Sequence, residues 1–425
     1  MHRFVGHFGV GLLFAGCLAQ RALAQKVFTW QEVRDRFEAT NPTLQAGKIN
    51  ISESRAQEIT AFLRPNPDMT AGIDQINPFS TQPSPSGGNG YRPFAFAFPL
   101  GSISYLHERQ HKRELRLESA KKATGIVESS QEDLERTLLF SLRGAFVQTL
   151  QAKAVLKLAQ ENLAYWDKVL GVSRDRFKAG DIAEIDLDRL ELQRVQFASD
   201  LLTAEVNVRT AKIQLLTLLN DRTPVEQFDV TGPYEFTETI LPLDEFRRMA
   251  VDTRPDLKAA VQSVDKAKTD HTLAVANGST DPIFAMDFAR NPPIPVYLGF
   301  SITIPIRIFD KNQGEKLRTQ LDIGRNEKLR DATEAQVFSD VDSAYAMLNS
   351  NLTLLRPYKT DYLRRALKVR DTVAFAYQRG GASLLDFLNA QSDYRSIQLN
   401  YLNLVGSYLT AASQLNLAVG REVIQ

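Results

Sequence analysis

The chain has 425 residues, with 51 Lys and Arg against 50 Asp and Glu, so its formal net charge is +1. No basic excess marks a nucleic-acid binder, and 43% hydrophobic with 24% charged residues exclude a disordered chain. Mean hydropathy is −0.24; no apolar run reaches a spanning helix, which excludes a multi-helix membrane protein but not a β-barrel, whose strands carry a weak hydropathy signal.

The N-terminus has a basic start, the apolar stretch FGVGLLFAGCLA and then Ala22-x-Ala24. This reads as a secretory signal peptide over 1–24, cleaved before Gln25. Ala15-Gly16-Cys17 also resembles a lipoprotein cleavage site. The only cysteine is therefore either discarded or lipidated, and no disulfide framework or Cys-based zinc site is expected.

Periodicity then predicts a helix over 31–63, two short strands within 68–100, a long helix over 102–178 and a last helix over 183–219. The same order returns as 243–276, 282–305, 311–378 and 383–419. The two copies, 25–222 and 243–425, are joined by a linker at 223–242. Gly180 aligns with Gly380 and Asp186 with Asp386, and the offset of 200 holds through Leu215 and Leu415. Thr40-Asn41-Pro42-Thr43-Leu44 aligns with Thr253-Arg254-Pro255-Asp256-Leu257. Two tandem copies of one unit follow.

Heptads run along the helices. Leu190, Phe197, Ala204 and Ala211 form one row; Val341, Leu348, Leu355, Tyr362, Val369 and Ala376 form another. A 70-residue helix is about 105 Å long, which implies a rod or a bundle wall. In each copy the first and last helices together match the reach of the long one, so they are expected to stack end to end beside it.

The strands are amphipathic. Phe94, Phe96 and Phe98 alternate with alanines, and Leu298, Phe300, Ile302 and Ile304 alternate with Gly299, Ser301 and Thr303. Strands of about ten residues cross a bilayer when tilted. The smallest membrane barrels have about eight strands, so a chain offering four needs partner copies to close one. A soluble sheet packed on the helices has the same periodicity. The polar, Pro- and Gly-rich segment Asn77 to Pro93 favours an exposed outer loop.

These features resemble the TolC-type outer-membrane efflux channels. The resemblance rests on the two-copy layout, N-P-x-L and R-P-D-L at 41–44 and 254–257, LGFSITIPIRIFDKNQGE at 298–315 and YQRGGASLLDFLNAQ at 377–391. It implies a fold that is mainly α with a β-barrel part. Long antiparallel coiled-coil helices form an α-barrel, and each chain gives four strands to a trimeric barrel in the outer membrane, with a large periplasmic part. It further implies a homotrimer in contact with outer-membrane lipid, a periplasmic adaptor and an inner-membrane transporter of the resistance-nodulation-division type, with no nucleic acid and no catalysis. Segment 304–315 most resembles members paired with heavy-metal and cation exporters. A periplasmic coiled-coil scaffold without a membrane barrel is the alternative.

Candidate sites follow. Gly180, Gly380 and Gly381 mark helix-to-helix turns, where glycine is a common helix stop; in the similar channels such turns meet the adaptor. Asp186 and Asp386 lie in the following first turns, where the helix dipole favours acids. A ring of such carboxylates would attract cations to a periplasmic gate. The family's second gate acid is Asn389 here, and its gate arginine is Ala382. The lipid-facing set is Phe94, Phe96, Phe98, Leu298, Phe300, Ile302 and Ile304. His107-Glu108-Arg109-Gln110-His111 spells H-E-x-x-H, a zinc-peptidase pattern when it lies on a helix. Its charged flanks and the lack of a convincing third ligand favour a solvated helix start. No phosphate-binding loop or catalytic constellation occurs, so no cofactor or metal is expected.

Overall fold

The computed structural model describes residues 26–83, 87–238, 240–291 and 294–424. The signal segment and Cys17 lie outside the described residues. In chain order the elements are β1 (Lys26–Phe28), α1 (Trp30–Thr40), α2 (Pro42–Phe62), β2 (Asp68–Asp74), β3 (Thr81–Pro83), β4 (Asn89–Tyr91), β5 (Phe98–Leu106), α3 (Lys112–Lys178) and α4 (Glu184–Leu218). The second copy has β6 (Phe228–Val230), α5 (Leu243–Thr253), α6 (Pro255–Asn277), β7 (Ile283–Asn291), β8 (Ile294–Thr303), α7 (Gln313–Pro357), a π turn (Tyr358–Tyr362), α8 (Leu363–Gln378) and α9 (Leu384–Val419).

Prolines break both of the expected first helices in two. A residue before proline is pushed to extended backbone, and Asn41 and Arg254 sit there with ψ of 118° and 121°. Asn41 then caps α2, its Oδ1 accepting from Thr43 N and Leu44 N at 2.9 and 3.1 Å. The first long helix begins at Lys112 rather than 102, because 102–106 belong to β5.

The chain divides into two compact units that cut across the repeat boundary. One holds residues from Lys26 to Phe37 together with Gln148–Pro233. Here β1 pairs in parallel with β6, so part of the expected linker is built into the fold. Lys153 and Lys212 reach Asp229 of β6 at 2.7 and 3.0 Å. Along α4 the expected heptad row Leu190, Phe197, Ala204, Ala211 is buried. Fully buried Trp166 donates its indole N–H to Leu190 O at 3.0 Å and packs its ring on Phe197.

The other unit holds Glu38–Val147 and the chain from Tyr234. Its core is built on α7 and α9, with Val341, Leu348 and Leu355 against Val405, Tyr408 and Leu415. The last turn of α9 meets the junction of α5 and α6. Thr253 Oγ1 donates to Val419 O, Arg254 to Ala418 O and Arg136 to Leu417 O. Cations and hydroxyls thus satisfy carbonyls left open at a helix C-terminus. Arg254 also bonds Asp256 at 2.5 Å and Asp340 of α7 at 2.8 Å. Within this copy α6 and α9 therefore stack end to end beside α7, as their lengths suggest.

The second long helix is interrupted. Pro357 lacks an N–H for the helical ladder, and the chain passes through the π turn before resuming as α8. A π turn adds one residue, so the buried seam leaves the heptad row. Tyr362 and Val369 are exposed, while Ala366, Ala374 and Tyr377 are buried. The turn is tied by Lys359, which pairs with Glu238 at 3.4 Å and lies 5.0 Å over the Phe236 ring.

Candidate functional site

The four-stranded antiparallel sheet has the order β2-β5-β7-β8. Paired residues share a face, which fixes the two surfaces. One carries Met69, Ile73, Ile103, Tyr105, Phe284, Met286, Phe288, Leu298, Phe300 and Ile302. This face is bare: Met69 is 72% exposed and Phe300 80%. An unpartnered apolar face of this extent marks an interaction with lipid or protein. The opposite face carries Asp68, Thr70, Asp74, Ser102, Ser104, Asp287, Ser301 and Thr303, with Phe98, Leu100, Leu106, Ile283 and Tyr297 towards its ends.

Three expected lipid-facing residues need correction. Phe94 and Phe96 lie in a turn, outside any strand. Phe98 opens β5 and pairs with Asp74, on the polar face. The alternation FAFAF imitates a strand, but Arg92 O and Phe94 O accept from Ala95 N and Ala97 N in tight turns. Leu298, Phe300 and Ile302 lie together on the apolar face, while Ile304 is exposed just past the end of β8. In the first copy the apolar face is instead made by Met69, Ile73, Ile103 and Tyr105. Alternation with Ser102 and Ser104 signals it, but helical periodicity across 102–178 masks it. The segment Asn77 to Pro93 also contains the small hairpin β3-β4.

The two helix-to-helix turns are built alike. Gly180 and Gly380 have φ of +81° and +76°, the left-handed conformation that suits glycine. Gly180 N and Asp181 N donate to Phe177 O and Arg176 O; Gly380 N and Gly381 N donate to Tyr377 O and Ala376 O. Both turns end a helix with the same paired bonds. Gly381 itself has no positive φ.

The repeat-related acids differ in their surroundings. Asp386 and Ser383 cap α9 reciprocally: Asp386 N donates to Ser383 Oγ, and Ser383 N and Oγ donate to Asp386 Oδ2, at 2.7–3.1 Å. The Ser383 hydroxyl, followed by its backbone N–H, holds the Asp386 carboxyl below the usual carboxylate range. Asp186 occupies the matching place in α4, but its N-cap is Ala183, which has no side chain to bond.

His107-Glu108-Arg109-Gln110-His111 is not helical. His107 and Glu108 precede α3, Glu108 pairs with Arg116, and His111 has φ of +55°. The two histidines therefore lack the shared helical face that the zinc pattern needs. Among the described residues no cluster of His, Cys, Asp and Glu could hold a metal, and no helix is long and apolar enough to cross a membrane.

The model of the outer membrane efflux proteins matches residues 295–421, which run from β8 to the end of α9. Over that segment the chain is similar to the outer membrane efflux protein family. The cobalt-zinc-cadmium resistance protein CzcC of Cupriavidus metallidurans is 21% identical over 322 residues, covering 73% of this chain and 74% of CzcC. The outer membrane protein TolC of Escherichia coli is 21% identical over 357 residues, 78% of this chain and 71% of TolC. Among solved structures, CusC superposes with a TM-score of 0.76 at 15% identity, covering 92% of each chain. The open state of the Neisseria gonorrhoeae MtrE channel gives 0.71 at 19% identity, covering 93% of this chain and 89% of MtrE. The fold of this chain is thus shared with the solved structures of CusC and MtrE.

Proposed function

We propose that this protein is the exit duct of a tripartite efflux pump, lying in the outer membrane with a large periplasmic part. The observation that carries this is the two-faced sheet. In lipid every backbone polar group must be paired, so a four-stranded sheet with open edges must close with other copies. Three chains then form one barrel, with Leu298, Phe300 and Ile302 toward lipid and Asp287 and Ser301 toward the lumen. The helices extend the passage into the periplasm, where the turns at Gly180, Gly380 and Gly381 meet an adaptor. The adaptor joins the duct to an inner-membrane transporter of the resistance-nodulation-division type. The role is passage, without a chemical step. The name of CzcC points to cobalt, zinc and cadmium resistance, and heavy-metal cations are the proposed cargo here. Asp186 and Asp386 are the proposed acids of the periplasmic gate, with Asp386 also serving as a helix cap.

Membrane fractionation with native mass analysis tests this. A detergent-stable trimer in the outer-membrane fraction, and metal sensitivity on deletion, are expected. A soluble monomer in the periplasm would instead establish the scaffold reading.

A further inference from the structure

We infer that the end of the sheet from which the long helices leave binds anionic glycerophospholipids, and that Arg64, Arg109, Arg307 and Lys311 hold their phosphates. The inference rests on the outer-membrane duct reading, which puts this end at the periplasmic boundary of the bilayer.

The strand register gathers these residues. Asp68 pairs with Ser104, Leu106 with Ile283, and Ile283 with Thr303, so β2 starts, β5 ends, β7 starts and β8 ends at the same end of the sheet. Arg64 lies between α2 and β2, Arg109 between β5 and α3, and Arg307 and Lys311 between β8 and α7. Arg109 N donates to Asp281 Oδ1 at 2.9 Å, and Asn312 Nδ2, next to Lys311, donates to Ala274 O of α6 at 2.8 Å.

The acids at this end are already engaged. Asp281 pairs with buried Lys112 at 2.6 Å, Glu108 pairs with Arg116, and Asp310 accepts from Asn312 N at 2.8 Å. Asp68 belongs to the polar face. The side chains of Arg64, Arg109, Arg307 and Lys311, by contrast, form no ion pair among the described residues. Arg307 Nε is shut off from solvent and bonds no protein group there. A buried donor without an acceptor is costly, and phosphate oxygens match the fork of a guanidinium.

The apolar neighbours place that phosphate on a lipid. The alternation of Leu298, Phe300 and Ile302 continues in the sequence past β8 as Ile304, Ile306 and Ile308, and Phe309 follows. Ile306 is 83% exposed and Phe309 89%. On the other copy Phe62 and Leu63 are exposed beside Arg64, with the Arg113 guanidinium 4.3 Å from the centre of the Phe62 ring. Cations interleaved with bare apolar side chains, continuous with a lipid-facing sheet, have the composition of an interfacial anchor. The apolar groups enter the acyl boundary while the cations reach the headgroups. A free phosphate ion would use the cations and leave Ile306 and Phe309 in water.

The test is native mass spectrometry of the purified protein in neutral detergent, titrated with dioleoylphosphatidylglycerol or dioleoylphosphatidylcholine. Wild type is expected to retain phosphatidylglycerol in preference to phosphatidylcholine. Arg307→Gln/Lys311→Gln and Arg64→Gln/Arg109→Gln should each weaken phosphatidylglycerol binding, by about fivefold for each cation removed, and leave phosphatidylcholine nearly unchanged. Ile306→Ser/Phe309→Ser should weaken both lipids. Should one charge pair fail to assemble, the other gives the same reading from the other copy. A wild-type protein without the preference overturns the inference, as does an unchanged preference in the charge variants. So does displacement of phosphatidylglycerol by an equal concentration of glycerol phosphate, which would mark an anion site without lipid contact. A soluble protein that takes up neither lipid overturns the duct reading and this inference together. A trimer in the outer-membrane fraction that lacks the preference overturns the inference alone.

Discussion

Phe288 of β7 lies across Gly101 of β5, its directly paired residue, so closely that a Cβ on Gly101 would fall 2.2 Å from the ring's Cζ. The aromatic ring fills the space that glycine leaves in the strand, on the apolar face. Gly101→Ala forces ring or strand to move, and overpacking of this kind costs about 1–3 kcal/mol. The variant should lower the temperature of thermal unfolding in detergent. Adding Phe288→Ala should recover part of that loss, because it removes the clashing atoms. A Gly101→Ala protein as heat-stable as wild type would mean that the ring has another place to go.

Arg254 is 4% exposed and bridges Asp256, Asp340 and the end of α9. Burial pushes the Asp256 carboxyl up, but the Arg254 guanidinium more than offsets this and holds it below the usual range. Arg254→Ala removes the link between Asp256, Asp340 and Ala418 O, and should lower stability, by about 1–3 kcal/mol for hydrogen bonds to charged groups. Denaturant unfolding followed by circular dichroism should show this loss. Arg254→Lys should recover only part of it, since an ammonium cannot span two carboxylates as a guanidinium does.

The helices were legible in the sequence because their burial is periodic: Leu190, Phe197, Ala204 and Ala211 are seven apart and all buried. The turns were legible because Gly180 and Gly380 hold a conformation that few other residues adopt. The apolar sheet face of the first copy was not. FAFAF at 94–98 alternates as strands do, yet local turns claim it, while Ile103 and Tyr105 hide inside a run that scans as helix. Which face Phe98 takes depends on its pairing with Asp74. Partner register is a tertiary fact, and a shift of one residue exchanges the faces. The cap on α9 is written as Ser383 three residues before Asp386, but an acid in a first helical turn is also what the helix dipole alone favours.

That cap gives a pH dependence with a definite sign. The Asp386 carboxyl sits below its ordinary value because Ser383 bonds its charged form. Such a group stabilises the folded state above the unfolded value of about 4. The contribution is lost as pH falls through the depressed folded value. A carboxyl NMR titration should place Asp386 lower in wild type than in Ser383→Ala, and amide exchange in the first turn of α9 should quicken in acid. Identical titrations of the two proteins would show that the hydroxyl does not hold the carboxylate.

The π turn at Tyr358–Tyr362 is an inserted residue, and its consequence is a phase. Upstream the seam runs through Val341, Leu348 and Leu355; downstream it passes through Ala366 and Tyr377 instead of Val369 and Ala376. Tyr377 stacks on Phe387 with ring centroids 4.9 Å apart, so the phase of α8 decides how its hairpin with α9 packs. Deleting exposed Thr360 should turn the π turn into continuous α-helix while keeping every downstream residue on its present face. That variant should fold with thermal stability near wild type. Inserting one alanine after Thr360 should rotate α8 by about 100° if the segment keeps α-helical geometry, at 3.6 residues per turn. Tyr377 would then swing away from Phe387 and the α8–α9 hairpin would become sensitive to protease. Equal protease resistance of the deletion and insertion variants would show that the phase is not fixed by this packing.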